Sequence, residues 1–410
     1  MGRGRHYNPQ DGGVPFRPAE AVIPLSVYVH IPFCTVKCSY CDFNAYAGMD
    51  NLKESYAAAL VSEVQAWRHV LAGAAIATIG FGGGTPGEVP ATHIAAVIDA
   101  IRAEATLAAG AEISLEANPG SITGGYLGEL AHAGVNRISF GAQSFDPAEL
   151  SFLDRIHSPE AIGAAMKLAR EAGIASVGLD LMYGLPDQKM STWRDSVSSA
   201  VALGVDHISL YALTIEDGTP LAGRVEREEV VPLDPDSVAT MYEAASEWLA
   251  AAGYLQYELS NWARPGHESR HNQVYWTGGD YLGIGAGAHG FIAGERYEDI
   301  AHPRTYIHAA KMLAPSGRRP NTVVRAYRPD EPTAMCDWVT LALRRLEGFP
   351  PGAFRARFGR ELDEVFGPPL ADCEAAGVLS RGEHIRLTSR GRLLHGEVAV
   401  RLLAHATATR

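Results

Sequence analysis

The sequence has 410 residues, of which 47% are hydrophobic and 20% are charged, and its formal net charge is -12. This is the composition of an ordinary globular protein that is long enough for two or three domains. The acidic balance argues against nucleic acid or an anionic membrane surface as a main partner, because both require clustered Lys and Arg to neutralise phosphates.

The N-terminal residues and the cysteines indicate where the protein works. Residues 1–23 are polar and contain several Gly and Pro, which predicts a loose extension rather than a targeting segment. No integral membrane segment is expected, since the longest apolar stretch, residues 70–81, is interrupted by Gly73 and Gly80 and is too short to span a bilayer. The five cysteines are odd in number and three fall within eight residues, which favours a metal centre in a reducing, cytoplasmic compartment over disulfides.

Short apolar runs alternate with amphipathic stretches from residue 25 to about residue 215. The runs predict strands at residues 25–31, 76–81, 112–117, 137–142, 176–182 and 207–213. The stretches between them predict helices at residues 52–71, 93–102, 126–133, 161–171 and 192–203. Gly134, Gly173, Gly204 and Gly253 are expected to end helices in the left-handed conformation. Six such units predict an α/β fold, an incomplete (β/α)6 barrel with parallel strands and chemistry at their C-terminal ends.

The remainder of the chain predicts further units. We expect the partial barrel at residues 24–231, an extension rich in Gly and aromatics at 232–314, and a Pro-rich, charged linker at 315–332. Residues 333–410 indicate a C-terminal α+β, winged-helix-like cap, with a short β wing near residues 383–388. DNA binding by this wing is disfavoured because the chain is acidic, and a cap over the barrel mouth is expected instead.

The strongest chemical signal is the segment Cys34-Thr-Val-Lys-Cys38-Ser-Tyr-Cys41, directly after the first strand. Thiolates select an iron–sulfur cluster or zinc. Structural zinc would require a fourth protein ligand, for which His30 or Asp42 could be proposed, and plain buried thiols are a third interpretation. Three cysteines without an obvious fourth fit a cluster that leaves one iron open to a small molecule.

The segment Tyr28-Val-His30-Ile-Pro-Phe-Cys34, continued by Cys38-Ser-Tyr-Cys41-Asp-Phe43, resembles the radical S-adenosylmethionine (SAM) signature. The resemblance covers roughly residues 24–400. More narrowly, the sequence is similar to the branch that contains the oxygen-independent coproporphyrinogen III oxidases (dehydrogenases) of porphyrin biosynthesis and the haem chaperone family HemW. It implies a [4Fe-4S] cluster on Cys34, Cys38 and Cys41. The amino and carboxylate groups of SAM chelate the open iron in this superfamily, and one electron cleaves its S–C5′ bond to a radical.

The other strand ends carry residue types that suit SAM. After the second strand, Gly82, Gly83 and Gly84 allow the backbone to approach a ligand closely. The resemblance implies SAM contacts from Tyr28, Gly83, Gly84, Thr85, Glu116, Gln143, Arg155, Asp180 and Ala212. An arginine can pair with the SAM carboxylate, and Glu, Gln and Asp can accept hydrogen bonds from its ammonium and hydroxyl groups.

Two features favour the haem-chaperone branch. Phe43 stands where the dehydrogenase motif has a fourth cysteine, and His271-Asn272-Gln-Val-Tyr275-Trp276 matches the H-N-x-x-Y-W element of the chaperones, whose histidine is implicated in haem binding. We expect one ring nitrogen of His271 to be fixed by a hydrogen bond and the other to be free for iron. A packed core histidine is the alternative, and His289 is the second candidate ligand.

Three hypotheses follow from the sequence. The first is a haem chaperone that binds a cluster, SAM and haem, and delivers haem to an acceptor protein that the sequence does not identify. The second is an oxygen-independent coproporphyrinogen III oxidase, and the third is another radical SAM enzyme. The glycine-rich residues 281–290 are expected to pack near the adenosyl end of the site, and Cys336 and Cys373 to be core thiols.

Overall fold

The computed structural model describes residues 23–313 and 318–408. The expected N-terminal extension therefore lies almost wholly outside the described residues, as does the start of the expected linker. The strands are β1 (Ile23–Ile31), β2 (Phe33–Cys34), β3 (Tyr46–Ala47), β4 (Ala74–Gly83), β5 (Thr106–Ala117), β6 (Arg137–Gln143), β7 (Ser176–Tyr183), β8 (His207–Ala212), β9 (Leu255–Glu258), β10 (Asn261–Ala263), β11 (Tyr281–Ile284), β12 (His289–Ile292), β13 (Glu295–Asp299), β14 (Val323–Tyr327), β15 (Leu379–Ser380) and β16 (Arg386–Leu387).

The helices cover most of the chain between these strands. They are α1 (Lys53–Ala66), α2 (Arg68–Leu71), α3 (Ala91–Glu104), α4 (Gly124–Ala133), α5 (Pro147–Phe152), α6 (Pro159–Glu171), α7 (Met190–Ala202), α8 (Pro220–Glu226), α9 (Pro235–Ala251), α10 (Arg270–Thr277), α11 (Pro303–Ala310), α12 (Glu331–Ala342), α13 (Pro351–Phe358), α14 (Leu362–Ala375), α15 (Ser389–Leu393) and α16 (His395–Ala408). The four predicted glycine helix ends are confirmed, since Gly134, Gly173, Gly204 and Gly253 have φ angles of 108°, 81°, 65° and 84°.

Six parallel strands form the centre of the sheet, in the order β1-β4-β5-β6-β7-β8. Each strand is joined to the next by a helical crossover, which is why all six C-terminal ends lie at the same edge. Side chains alternate along β1: Val27 and Val29 pack in the hydrophobic core with the helices, while Tyr28 faces the barrel interior. The predicted α/β fold with a parallel sheet is confirmed.

The sheet is wider than the sequence predicted. β11 lies parallel to β1 and places Gly283 beside Tyr28, and β12, β13 and β14 continue this edge as antiparallel strands. At the other edge β10 pairs antiparallel with β8 and then with β9. The sheet therefore contains 12 strands within the described ranges. The added strands are short and several adjoin glycines, so they lack the long apolar runs that revealed the central six.

A buried carboxyl pair fastens the β11 edge to α1. Glu63 is fully buried and accepts hydrogen bonds from the Gly285 N–H at 2.9 Å, the Tyr306 hydroxyl at 2.6 Å and the Thr322 hydroxyl at 2.5 Å. Asp299 lies beside it, and burial, followed by the charge of Glu63, raises the pKa of Asp299 well above its usual range. The pair is therefore most stable when one of the two carboxyls keeps a proton.

α10 closes the N-terminal end of the barrel, opposite the cysteines. Glu112 forms an ion pair with Arg137 at 2.9 Å, and its carboxylate accepts the backbone N–H groups of Arg270 and His271 in the first turn of α10. Arg137 also donates to the carbonyl of His267 at 2.7 Å, just before the helix. These contacts hold the first turn of α10 against the middle of β5 and the start of β6.

The C-terminal domain has its own core, which includes Trp338, Phe354 and Phe366. It contains helices α12 to α16 and the hairpin β15–β16, so the predicted helical C-terminal domain is confirmed. Its position differs from the expected cap over the barrel mouth. Trp338 of α12 donates its indole N–H to the carbonyl of Thr277 at the end of α10, and Arg344 pairs with the buried Glu258 at 3.0 Å. The domain thus packs against the α10 end of the barrel.

Candidate functional site

The three motif cysteines lie on the loop that follows β1. Two short parallel strands fold this loop back, since β2 pairs Cys34 with Ala47 of β3, and the Cys41 N–H donates to the carbonyl of Cys38 at 3.1 Å. All five cysteines of the chain are free thiols. Cys34, Cys38 and Cys41 face a cavity of about 460 Å³ at the C-terminal ends of the parallel strands, which we call the upper cavity.

The structure brings nearly all the predicted cluster and SAM residues together around the upper cavity. Tyr28 is the exception and is described below. The lining candidates are Cys34, Cys38, Cys41, Gly83, Gly84, Thr85, Glu116, Gln143, Arg155, Asp180 and Ala212. They come from the ends of β4, β5, β6, β7 and β8 and from the segments that follow β1 and α5. Parallel strand ends meet at one edge, and this is why residues far apart in sequence line one cavity.

The glycine run after β4 lies against the cysteine loop. The N–H groups of Gly84 and Thr85 donate to the carbonyls of Ile31 and Phe33, both at 2.8 Å. A Cβ atom on Gly84 would lie 2.7 Å from the Phe33 carbonyl oxygen and 3.1 Å from the sulfur of Cys34. Gly84 therefore permits the close approach of two backbones that positions the first cysteine.

A chain of polar contacts joins two of the cysteines along the cavity wall. The sulfur of Cys34 lies 3.4 Å from the Thr85 hydroxyl, which accepts a hydrogen bond from the Asn118 amide at 3.3 Å. The amide oxygen of Asn118 accepts from Arg155, whose other terminal nitrogen donates to the sulfur of Cys38 at 3.7 Å. Arg155 thus places positive charge beside the sulfur of the second cysteine.

Two carboxyl groups face the same space. Burial and then the charge of Asp180 raise the pKa of Glu116 to about 7. Burial also raises the pKa of Asp180, although hydrogen bonds from Ser209 and Ser139 oppose the effect. The side chain of Glu116 is surrounded by protein on most sides but is open to the cavity. A cationic ligand would favour ionisation of both carboxyls, and SAM carries an ammonium and a sulfonium group.

Two buried polar atoms at the upper cavity have no partner in the described part of the chain. They are the amide oxygen of Gln143 and the Nε of Arg155. Gln143 ends β6 with a φ of 64°, which is uncommon for a residue other than glycine. Buried polar groups are usually hydrogen-bonded, so an unpaired acceptor and an unpaired donor on one cavity wall fit a polar ligand such as SAM.

The cysteines suit a cluster better than a single metal ion. Over residues 23–313 and 318–408, no group of three or more His, Cys, Asp or Glu side chains is placed to hold one metal ion. A four-ligand zinc site would need such a group, whereas each cysteine of an iron–sulfur cluster binds a different iron. Burial raises the pKa of Cys34 to about 11 and raises that of Cys41, so metal uptake would release protons.

Tyr28 lies deeper in the barrel, on a second cavity of about 160 Å³ that we call the lower cavity. Its hydroxyl contacts Nδ1 of His30 at 3.0 Å, and Nε2 of His30 contacts the carbonyl of Asn44 in the cysteine loop at 2.9 Å. The ring of Tyr28 stacks on His271, with ring centroids 6.4 Å apart. Tyr28 therefore lies between the H-N-x-x-Y-W histidine and the cysteine loop.

His271 is buried, and both of its ring nitrogens are hydrogen-bonded. Nδ1 lies 2.7 Å from the hydroxyl of Thr78, which itself donates to Ser26 and so must accept the Nδ1–H. Nε2 then accepts from the hydroxyl of Tyr275 at 2.8 Å. Burial lowers the pKa of His271 to about 4, so the ring is neutral at pH 7. The expectation of one free ring nitrogen was wrong, because Tyr275 occupies the lone pair.

The second haem candidate has different surroundings. His289 begins β12 and is exposed, and its ring forms no hydrogen bond with the residues that the structure describes. The glycine-rich residues 281–290 form β11 and the turn to β12, and none of them lines the upper cavity. A Cβ on Gly285 would meet the His30 carbonyl oxygen at 2.6 Å, so this stretch supports β1 from outside the cavity. Cys336 and Cys373 are buried core thiols, as predicted.

Among the lining residues of the upper cavity that were not predicted, Asn118 and Tyr40 stand out. Asn118 connects Thr85 to Arg155, and it follows β5 in the same strand-end position that revealed the other candidates. Tyr40 lies between the second and third cysteines, and its ring lines the cavity. Strand-end position could have identified Asn118. The side-chain direction of Tyr40 depends on the conformation of the loop and carries no sequence signal.

Comparison with family profiles and sequences gives a consistent result. The Radical SAM superfamily profile matches residues 28–200, and the HemN C-terminal domain profile matches residues 331–394. The heme chaperone HemW of Mycobacterium tuberculosis is 39% identical over 386 residues, which cover 93% of this chain and 95% of that protein. The heme chaperone HemW of Escherichia coli is 37% identical over 373 residues, covering 90% and 96%.

A solved structure agrees with the fold. The coproporphyrinogen III oxidase HemN of Escherichia coli, described as a radical SAM enzyme, superimposes with a TM-score of 0.79 over 93% of this chain and 90% of that chain. The sequence identity is 24%, so this likeness concerns the fold and not the reaction.

Proposed function

Because this chain belongs to the HemW family within the radical SAM superfamily, we propose that it binds a [4Fe-4S] cluster, SAM and haem, and delivers the haem to an acceptor protein. Binding of the cluster and of SAM is supported by the upper cavity, which has a volume of about 460 Å³. Three free thiols line it together with Arg155, Glu116 and Asp180. The haem half rests on the named relatives and on the H-N-x-x-Y-W element at His271.

In this proposal Cys34, Cys38 and Cys41 hold the cluster, and the strand ends hold SAM. The cluster, when bound, would supply one electron to the sulfonium of SAM. Arg155 would pair with the SAM carboxylate, and Gln143 would accept a hydrogen bond with the amide oxygen that is now unpaired. The remaining SAM residues of the proposal are Tyr28, Gly83, Gly84, Thr85, Glu116, Asp180 and Ala212. Tyr28 would act from below the cavity, through His30, rather than from its wall.

Haem is the cargo in this proposal, and His271 is its ligand, with His289 as the second candidate. For His271 to bind iron, the Tyr275 hydroxyl must leave Nε2, which costs about one hydrogen bond, roughly 0.5–1.5 kcal/mol. The neutral ring and the donor role of Nδ1 toward Thr78 favour ligation, since they leave the lone pair on Nε2. His289 is accessible without any such rearrangement.

The cluster half is tested on the full chain by anaerobic reconstitution. Wild-type protein should hold about four irons and four sulfides per chain, and Ala at Cys34, Cys38 or Cys41 should abolish the brown absorbance. Cys336→Ala and Cys373→Ala are the matched controls and should keep it, because both thiols lie in the C-terminal core. Tight stoichiometric zinc without iron uptake would contradict the proposal.

The haem half is tested by titrating reconstituted protein with haem and by a parallel assay for SAM-dependent conversion of coproporphyrinogen III. We expect about one haem per chain, transfer to an acceptor, and no conversion. His271→Ala should weaken haem binding and change the Soret band while the cluster remains. Conversion of coproporphyrinogen would instead establish the oxidase hypothesis. Binding by His271→Ala that equals wild type would move the ligand to His289.

The proposal includes a reducing, cytoplasmic location. It is supported by five cysteines that are all free thiols. Across the described ranges, no helix combines the length and apolar character needed to cross a membrane.

A further inference from the structure

A third cavity lies where the extension meets the C-terminal domain. Its volume is about 520 Å³, within the range of roughly 300–1,000 Å³ that is typical of small-molecule sites. Five aromatic side chains line it, and we call it the aromatic cleft: Tyr275, Tyr281, Phe291, Trp338 and Phe358. They come from α10, β11, β12, α12 and α13, so the cleft exists only when the C-terminal domain is packed on the barrel.

Aromatic side chains line the cleft from both sides. Tyr275 and Tyr281 meet edge to face on the barrel side, with ring centroids 4.8 Å apart. Trp338 and Phe358 do the same on the C-terminal side, at 6.0 Å. Gly278 lies beside Trp338, and a Cβ there would come within 2.7 Å of the indole, so the glycine leaves room for this ring. Aromatic walls with small residues between them suit a large planar ligand.

Two guanidinium groups also line the cleft. Arg296 is held by Asp337 at 2.8 Å. Arg357 is exposed, and none of the carboxylates that the structure describes forms an ion pair with it; it leans over the ring of Phe358 at 5.8 Å. The lining carboxylate, Asp280, accepts the backbone N–H of Ala293 at 3.0 Å. The charge of Asp280 acts on Arg357, but Asp280 does not form an ion pair with it, so the guanidinium of Arg357 keeps hydrogen-bond donors for a carboxylate ligand at this largely aromatic cavity.

We propose that the aromatic cleft binds the tetrapyrrole ring of haem, with a propionate carboxylate on Arg357. This inference rests on the proposed function and adds a location that the H-N-x-x-Y-W element alone does not give. The lower cavity, which holds His271, is about 160 Å³ and too small for the macrocycle. Tyr275 is the wall that the two cavities share: its ring lines the cleft, and its hydroxyl reaches Nε2 of His271. Tyr275 therefore stands between a macrocycle in the cleft and His271, and its side chain must move aside before Nε2 of His271 can bind the iron.

The test uses the reconstituted full chain and three probes: haem, metal-free protoporphyrin and its dimethyl ester, which lacks free carboxylates. Arg357→Ala should raise the Kd for the two diacids at least about tenfold, which corresponds to about 1.4 kcal/mol, and leave the ester unchanged. Arg355→Ala is the matched control, because Arg355 lies on the same helix and pairs with Glu361 away from the cleft. Ala334→Trp, which fills the cleft from α12, should block all three probes.

The outcomes separate this inference from the proposed function. If wild-type protein binds haem but Arg357→Ala and Ala334→Trp bind it equally well, the cleft is not the site and the haem-chaperone proposal stands. If the ester loses as much affinity as the diacids in Arg357→Ala, the arginine acts through the fold and the carboxylate contact is refuted. If wild-type protein binds no haem, the proposed function itself fails.

Discussion

Gly84→Ala adds one methyl group at the point where the glycine run touches the cysteine loop. The new Cβ would lie 2.7 Å from the Phe33 carbonyl oxygen, 3.0 Å from the Ile31 carbonyl oxygen and 3.1 Å from the Cys34 sulfur. Both carbonyls already accept hydrogen bonds from this segment, so neither can rotate away. The strain must therefore move the backbone that carries Cys34.

Overpacking of this kind costs about 1–3 kcal/mol, which a domain with a stability of roughly 5–15 kcal/mol can tolerate. We expect Gly84→Ala to fold, to unfold at lower urea concentration, and to assemble markedly less iron and sulfide than wild type. Gly84→Val should be more severe, because it adds further atoms in the same direction. The effect on SAM would then be secondary to the displaced cluster ligand.

The matched control is Gly128→Ala in α4, where nothing lies within 4 Å of the added Cβ. This variant should be stabilised, by up to about 1 kcal/mol, because glycine is unfavourable inside a helix. Its cluster content should equal that of wild type after the same anaerobic reconstitution. If Gly84→Ala assembles as much cluster as Gly128→Ala and unfolds at the same urea concentration, the reasoning from this contact is refuted.

Three further predictions test other parts of the molecule. Arg155→Ala should keep most of the cluster but weaken SAM binding by about 1.5–3 kcal/mol; unchanged SAM-induced cluster spectra would mean that the arginine does not contact SAM. Asp299→Asn should flatten the pH dependence of stability. Because the pKa of Asp299 is raised, the folded chain keeps a proton that the unfolded chain releases above about pH 4, so the stability of the wild type falls as the pH rises from there. Urea unfolding between about pH 5 and pH 8 measures this fall in both proteins. Equal pH dependence in the wild type and Asp299→Asn would show that Asp299 and Glu63 do not share a proton. Tyr275→Phe should bind haem as well as wild type or up to about tenfold more tightly, because it frees Nε2 of His271; a loss as large as that of His271→Ala would indicate that the phenol is the iron ligand.

Local sequence patterns were sufficient to predict the central fold. Each of the six barrel strands is an apolar run followed by a polar or glycine-rich end, and three of the helices between them, α4, α6 and α7, are followed by a glycine with a positive φ. These signals are local, with periods of two and 3.6 residues, and regular β-then-α alternation leaves few topologies. The cysteine spacing and the strand-end positions of Glu116, Gln143 and Asp180 are local as well. Apart from Tyr28, the residues that were predicted for this site therefore lie together around the upper cavity.

The roles of the residues that follow the barrel depend on long-range contacts in the folded chain. The pairing of β11 with β1 joins Gly283 to Tyr28 across most of the chain, and no local period reports such a partner. The same applies to His271, whose sequence neighbours give no sign that Thr78 and Tyr275 hold both ring nitrogens. A hydrogen bond depends on which atoms meet in space. For a side chain at the N-terminal end of the barrel, long-range packing determines which atoms meet. The C-terminal domain is recognisable as a unit from its sequence, but its place against α10, and the aromatic cleft that results, follow from surfaces that are complementary only once both parts are folded.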